Sequence, residues 1–300
     1  MIKLKIPGSA SNLGAGFDAL GLALRIHLNV EARPSESVKI ELAGEGADSL
    51  PRNDKNLLIR SYRKACETFD LSPQTWSLKV HNEIPLARGL GSSGAAITAG
   101  LMLAQAQSKH KLSLQKLLEI GAEIEGHPEN VAASLLGGFV VCCPTEKQLF
   151  SQSVTLKKSL QAVVVVPDFE VSTAEARKLL PEKVSFEDAV RNIQRATLMV
   201  AAMSNGEYDF LKTAAEDQLH QPYRKKLIPG FDSLLEAMYR AGANAVFLSG
   251  SGSTVCAFSA GQPAKIAEAA EKVILEQSYL AKIKIVDVAS NGAEVWNEKE

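Results

Sequence analysis

An α+β fold in two domains is what this sequence predicts, and three observations predict it. At 300 residues the chain can enclose two cores of ordinary size. Its second half reads β-α-α-(α)-α-β-β-α-β, the order expected of helices layered on an antiparallel sheet. Between the halves, 146–159 is polar and lacks clear periodicity, which sets domains of 1–150 and 160–300.

The elements follow in order from their patterns. Ile2 to Ile6 alternates apolar residues with lysine, as a half-buried strand does. A run of small residues, Pro7 to Gly21, carries Asn12 and Asp18, for which a ligand contact and an Asx-turn are both open readings. Arg25 to Val30 and Val38 to Leu42 read as strands, and Asn56 to Phe69 as a helix with Leu57, Leu58, Tyr62 and Ala65 on one face. Ser77 to Asn82 is strand-like, Ala95 to Gln107 and Leu112 to Glu125 are helical, and Gly126 to Asn130 breaks the chain. In that break Asn130 can cap the next short helix, and His127 can simply hydrogen-bond locally. Gly137 to Cys143 and Val163 to Val166 are buried strands. Ser172-Thr173 opens a helix that carries Arg177 and stops at Pro181, and Phe186 to Met203 keeps a firm helical period. Tyr223 to Lys226 is a basic cluster expected in a solvated loop. Phe231 to Arg240 is helical, Ala245 to Ser249 a strand, Pro263 to Gln277 an amphipathic helix and Lys282 to Val288 a closing strand.

Composition narrows the function classes. With 46% hydrophobic residues, 22% charged residues and a net charge of −1, the chain is globular and has no electrostatic case for binding nucleic acid or an anionic membrane. No apolar run approaches the ~20 residues that cross a bilayer, and Met1 to Pro7 is too charged for a signal peptide. Cys66, Cys142, Cys143 and Cys256 have no metal-ligand spacing and read as small core thiols in a reducing compartment. The expectation is a cytoplasmic protein acting on small molecules.

The chemistry concentrates in Pro85-Leu-Ala-Arg-Gly-Leu-Gly-Ser-Ser-Gly-Ala95, between a strand and a helix. Gly89, Gly91 and Gly94 let the backbone come close to a ligand. Ser92 and Ser93 sit where a helix N-cap is wanted, and a helix N-terminus favours phosphate. The dinucleotide fingerprint does not fit, because Glu83 to Arg88 separate strand from glycine and no acid follows before Glu119. The nucleotide P-loop fails for want of its Gly-Lys-Ser/Thr ending. With Pro7 to Gly21 and Ser249 to Thr254, this makes three small-residue loops at strand ends in both halves, which points to one cleft for an anionic ligand.

Pro85 to Ala96, in the form Pro-x-x-x-Gly-Leu-Gly-Ser-Ser-x-Ala, resembles the signature of the GHMP small-molecule kinases. The other two loops fall where that family has its further motifs. Ser11 to Asp18, Glu123 to Val131, Thr173 to Arg177 and His220 to Arg224 are similar to the homoserine-phosphorylating branch, along nearly the whole chain. The resemblance implies an N-terminal ribosomal protein S5 domain 2-like unit and a C-terminal ferredoxin-like α/β sandwich, and it suggests a homodimer. The implied reaction moves the γ-phosphoryl group of ATP to the side-chain hydroxyl of L-homoserine, with Mg²⁺ as cofactor, in threonine biosynthesis. Another GHMP kinase, for mevalonate or sugars, and a catalytically silent sensor are the alternatives.

The resemblance also implies roles for residues. Pro85, Leu86, Ala87, Arg88, Gly89, Leu90, Gly91, Ser92, Ser93, Gly94 and Ala95 would hold ATP, and Ser93 with Glu119 would hold Mg²⁺. Arg177 and Arg224 suit the substrate carboxylate, since guanidinium forks bind carboxylates bidentately. Asn12 and Asp18 would serve its ammonium, Asn130 would orient the reacting hydroxyl, and His127 and Thr173 would line the pocket. Asp18 is the nearest carboxylate for a general base, but its ammonium role occupies it, so direct proton passage to phosphate is expected. Ala15 and Ser253 stand where the family commonly has prolines, a change expected to alter loop stiffness alone.

Overall fold

The alternating N-terminus forms strand β1 (Ile2–Ser11), which runs on through the small residues Gly8 to Ser11 because they pair with β2 (Leu20–Pro34). The structure is a computed structural model and describes residues 1–298. The β1–β2 pairing is antiparallel from Ile2↔Ala32 to Ser11↔Gly21, with an irregularity between Pro7 and Gly8. Next come β3 (Lys39–Gly44), α1 (Leu57–Thr68) and β4 (Trp76–Asn82). β3 and β4 are parallel, with α1 as the crossover that parallel strands require. Asn56 caps α1, its side chain accepting from the Leu58 N–H at 3.0 Å.

Three helices cover one side of this sheet: α2 (Ser92–Gln107), α3 (Leu114–Glu125) and α4 (Glu129–Leu136). Gly94 to Ala104 of α2 is buried apart from Ala96, so the helix is apolar around its whole girth and forms the central pillar of the half. β5 (Phe139–Pro144) pairs with β2, and β6 (Leu149–Val154) pairs with β5. β6 lies inside the stretch expected to be a linker. Its LFSQSV sequence has little apolar character to announce a strand.

The second half opens with β7 (Gln161–Pro167) and continues with α5 (Thr173–Lys178), α6 (Phe186–Asn205), α7 (Leu211–Ala214), α8 (Gln221–Arg224) and α9 (Phe231–Arg240). β8 (Ala245–Leu248), β9 (Val255–Ser259), α10 (Pro263–Ile274) and β10 (Ala281–Asp287) complete it. Its sheet has the order β10-β7-β9-β8 with antiparallel neighbours, the expected ferredoxin-like arrangement. The basic cluster does not form a solvated loop: it lies on α8 and a following 3-10 turn, with Arg224 buried.

The last strand, β11 (Glu294–Asn297), falls in the expected second domain, yet it pairs with β1 at the edge of the first sheet. Four residues are too few to show a period, so no sequence pattern announced it. One apolar core also joins the halves, including Leu4 and Phe139 from one sheet with Val164 and Phe258 from the other. Of the cysteines, Cys66, Cys142 and Cys256 are buried free thiols, whereas Cys143 is exposed and so not a core thiol. Among the described residues no helix is long and apolar enough to cross a membrane.

Candidate active site

The glycine-rich loop gains its shape from left-handed backbone at Ala87, Gly89 and Gly91, with φ of 51°, 73° and 71°. Gly91, and neither serine, is the N-cap of α2. Ser92 and Ser93 are its first helical residues, and no side chain caps the first turn. The expectation of a serine cap is therefore corrected: the helix starts one residue earlier, and its first N–H groups are left for an outside acceptor. A cavity of about 480 Å³ opens here, bordered by Pro85 to Ser93. Gly94 and Ala95 do not border it. Gly94 packs on Asn130, and Ala95 is 0% exposed with its N–H already bonded to the Gly91 carbonyl at 2.9 Å.

The three small-residue loops meet at this cavity through main-chain contacts. Ser249 Oγ donates to the Gly89 carbonyl at 2.6 Å, the Thr254 N–H to the Arg88 carbonyl at 3.1 Å, and the Gly250 N–H to the Ser11 carbonyl at 3.1 Å. A Cβ on Gly89 would lie 2.0 Å from the Ser249 carbonyl oxygen, so only glycine permits this approach. Arg88 is committed to holding the halves together, donating from Nε to the Pro167 carbonyl at 2.8 Å and from Nη2 to that of Asp168 at 2.7 Å. Ala15 and Ser253 both have partners: Asn192 Nδ2 donates to the Ala15 carbonyl at 2.7 Å, and Ser253 Oγ to that of Phe169 at 2.8 Å.

The same cavity is lined by Asn12, Asp18, Thr173, Arg177 and Arg224. Arg177 on α5 grips Asp18 with both fork nitrogens, Nη1 to Oδ2 at 3.0 Å and Nη2 to Oδ1 at 2.8 Å. Asn12 ties the first loop to the third, donating from Nδ2 to the Gly250 carbonyl at 3.0 Å and accepting from the Asp18 N–H at 3.0 Å. Arg224 is 2% exposed and bonds only to the carbonyls of Gly250 at 3.2 Å and Ala176 at 3.3 Å. Burial, reinforced by the Arg177 charge, lowers its pKa to about 10. Phe17 lies under both guanidiniums, 5.5 Å from Arg177 and 5.0 Å from Arg224. Buried His220 holds the first loop in place, its Nε2–H donating to the Gly14 carbonyl at 2.9 Å while its ring stacks on Phe17. Nothing in the sequence around His220 announces this role.

Asn130, also at the cavity, is buried at the second residue of α4 and does not cap the helix. Its Oδ1 accepts from Ser9 Oγ at 2.8 Å, and its Nδ2 donates to Glu129 Oε1 at 2.9 Å and Ser11 Oγ at 3.2 Å. His127 Nδ1 sits 3.0 Å from Glu129 Oε1. Burial by itself would lower the His127 pKa, but the hydrogen bond and charge of Glu129, with Glu125 and Asp18 farther off, outweigh it and raise it.

Glu119 is not at this site. It faces Gln115 and Lys116 on the outer side of α3, with Nε2 and Nζ donating to it at 3.1 and 3.2 Å. The carboxylate that meets Ser93 is Glu125, in the last turn of α3, and Ser93 Oγ donates to its Oε1. Burial raises the Glu125 pKa, with the Ser93 hydrogen bond opposing. Nearly two helical turns separate Glu119 from Glu125, and residue type alone did not distinguish them. Lys55 also lines the cavity, and Ser9 and Ser11 bond to Asn130, contacts that no sequence pattern announces.

Comparison with known proteins bears on this geometry. The chain matches the family described as GHMP kinases N terminal domain over residues 56–138, and that described as GHMP kinases C terminal over 189–274. A homoserine kinase of Aquifex aeolicus is 39% identical over 298 residues, covering 99% of this chain and 100% of the relative. One from Clostridium acetobutylicum is 40% identical over 287 residues, 95% of this chain and 94% of the relative. The crystal structure of homoserine kinase from Cytophaga hutchinsonii superposes with a TM-score of 0.89 at 29% identity, covering 98% of this chain and 97% of that one.

Proposed function

This chain belongs to the GHMP kinase family and, within it, to the homoserine kinases; from that premise we propose that its cleft transfers the γ-phosphoryl group of ATP to the side-chain hydroxyl of L-homoserine. The observation that carries the substrate assignment is Arg224. It is a buried guanidinium with no carboxylate within ion-pair distance among the described residues, and it lines the cavity with Arg177 over the same Phe17 ring. Such a group calls for an anion, and a fork matches a carboxylate.

In this reading the loop 85–93 and the first turn of α2 hold the triphosphate with main-chain N–H groups, while Arg177 and Arg224 clamp the amino-acid carboxylate. Asp18 faces the ammonium, Asn130 orients the hydroxyl, and His127 and Thr173 complete the pocket. The hydroxyl oxygen forms a bond to γ-phosphorus as the bond to the β-bridging oxygen breaks and ADP departs. Asp18 is engaged by Arg177 and Glu125 by Ser93, while Glu129 spends Oε1 on Asn130 and His127 and keeps a buried Oε2 without a partner. The engagement of Asp18 and Glu125 supports proton passage to the phosphate itself, with positioning and fixed charge supplying catalysis.

Mg²⁺ fits beside Ser93 and Glu125, a hydroxyl and a half-buried carboxylate whose pKa burial raises. These two protein ligands would leave the ion's remaining positions to phosphate and water. Bound there, Mg²⁺ would neutralise charge on the phosphates. Glu125→Gln is expected to raise the Mg²⁺ concentration for half-maximal rate by about tenfold to a hundredfold, and Glu119→Gln to leave it within about twofold. The reverse ranking in a Mg²⁺ titration would return the metal role to Glu119.

The deciding experiment for the activity is ADP release with homoserine, serine, threonine, mevalonate and galactose side by side. Homoserine is expected to be turned over fastest, and a faster rate with mevalonate or galactose would overturn the reading. A cytoplasmic setting suits these metabolites. A homodimer is supported by the exposed stripe Phe186, Val190 and Ile193 on α6, of which Phe186 is 87% exposed. Light scattering at the monomer mass would reject it.

A further inference from the structure

The Asp18–Arg177 contact joins opposite walls of the cleft. Asp18 belongs to the β1–β2 loop, Arg177 to α5, and the two are 159 positions apart in the chain. The residues expected to take opposite ends of the substrate thus hold each other. Arg177 spends both fork nitrogens on the two oxygens of Asp18, so neither group has its strongest contact to spare. Asp18 is fixed for this role by a left-handed backbone, φ 55°, and by the Asn12 side chain on its N–H. Arg224 stands beside the pair over the same Phe17 ring, with carbonyl partners alone.

We propose that Asp18 and Arg177 form an interlock that a ligand opens only by carrying both an anion and a cation, so that the site selects zwitterionic alcohols over singly charged ones. The inference rests on the homoserine reading of the same site and adds its selection rule. A carboxylate entering alone must displace Asp18 from Arg177, and it leaves the Asp18 carboxylate unpaired next to the newcomer. An ammonium entering alone draws Asp18 away and leaves two adjacent guanidiniums without a counter-ion. A zwitterion does neither: its carboxylate replaces Asp18 on Arg177 and completes Arg224, while its ammonium replaces Arg177 on Asp18. The number of ion pairs rises, and no charge is stranded. The two charges of the substrate therefore act non-additively, because each carries the cost of opening the pair unless the other is present.

The test uses half-ligands. 4-Hydroxybutyrate carries the carboxylate and hydroxyl without the ammonium, and 3-amino-1-propanol carries the ammonium and hydroxyl without the carboxylate. Each is titrated by NMR into the full chain as wild type, Asp18→Asn and Arg177→Met. Asparagine tolerates the left-handed backbone at position 18. With the interlock removed, Asp18→Asn is expected to bind 4-hydroxybutyrate about fivefold more tightly than wild type, the weight of one partly exposed ion pair, although it binds homoserine less well. Arg177→Met is expected to show the same gain for 3-amino-1-propanol. If Asp18 merely waits for an ammonium, Asp18→Asn leaves 4-hydroxybutyrate binding unchanged, and the same null result for Arg177→Met overturns the interlock. The variants lie on opposite walls, so if circular dichroism shows one unfolded, the other decides. ADP release by the wild type with homoserine is measured alongside. Its failure would remove the substrate reading and leave the charge-pair result standing, and success with no gain for half-ligands would do the reverse.

Discussion

Arg224→Met is expected to lower kcat/KM for homoserine by about a hundredfold or more, while leaving thermal stability unchanged or slightly improved. The loss follows from geometry: Arg224 is 2% exposed, and its Nη1 reaches only the Gly250 carbonyl at 3.2 Å. Removing a buried cation that meets a substrate anion costs on the order of 2–5 kcal/mol, much of it from stranding the anion. The stability follows from the same fact read in the other direction. A buried cation without a carboxylate partner is a desolvation burden on the folded state, which is why its pKa is lowered to about 10. Methionine removes that burden and keeps the volume. Steady-state kinetics with a thermal melt check both halves. Arg224→Lys should not restore the rate, since an ammonium lacks the planar fork. A variant that lost stability and kept its kcat/KM would show Arg224 to be structural.

Gly89→Ala is expected to lose about a hundredfold in kcat and to melt at a lower temperature. A left-handed φ of 73° costs an alanine about 1–2 kcal/mol. The added Cβ would also sit 2.0 Å from the Ser249 carbonyl oxygen, an atom of backbone that cannot swing aside. Either the cradle or the third loop must retreat, and a shift of about 1 Å at a reacting centre is enough for a hundredfold. Gly261→Ala is the control, because a Cβ there meets nothing within 4 Å. Equal melting temperatures and equal ATP kinetics for the two variants would refute this account of the cradle.

How much of this was legible beforehand differs from residue to residue, for physical reasons. Glycines 89 and 91 could be read because a tight left-handed turn leaves glycine as nearly its only solution, so the type reveals the conformation. Arg177 and Arg224 are assigned by resemblance, and nothing local in Tyr223 to Lys226 marks Arg224 as buried between half-buried Tyr223 and Lys225, with Lys226 exposed. Glu119 is named by resemblance and Glu125 goes unmarked, since both are acids on one helix and only the crossing of α3 with α2 determines which turn meets Ser93. His220 and Ser9 act by reaching the Gly14 carbonyl and Asn130 from far along the chain, and no spacing rule covers contacts of that kind.

By itself the sequence determined the α+β class, most helices and strands, and a glycine-rich turn before an apolar helix, because these depend on periodicity and on dihedral limits that operate within a few residues. The tertiary structure decided that β11 returns to the first sheet, that Glu125 is the carboxylate at Ser93, and that Asp18 and Arg177 clasp each other across the cleft. Those outcomes depend on which distant groups packing brings within about 3 Å, the range at which hydrogen bonds and ion pairs act, and a linear chain does not state that range.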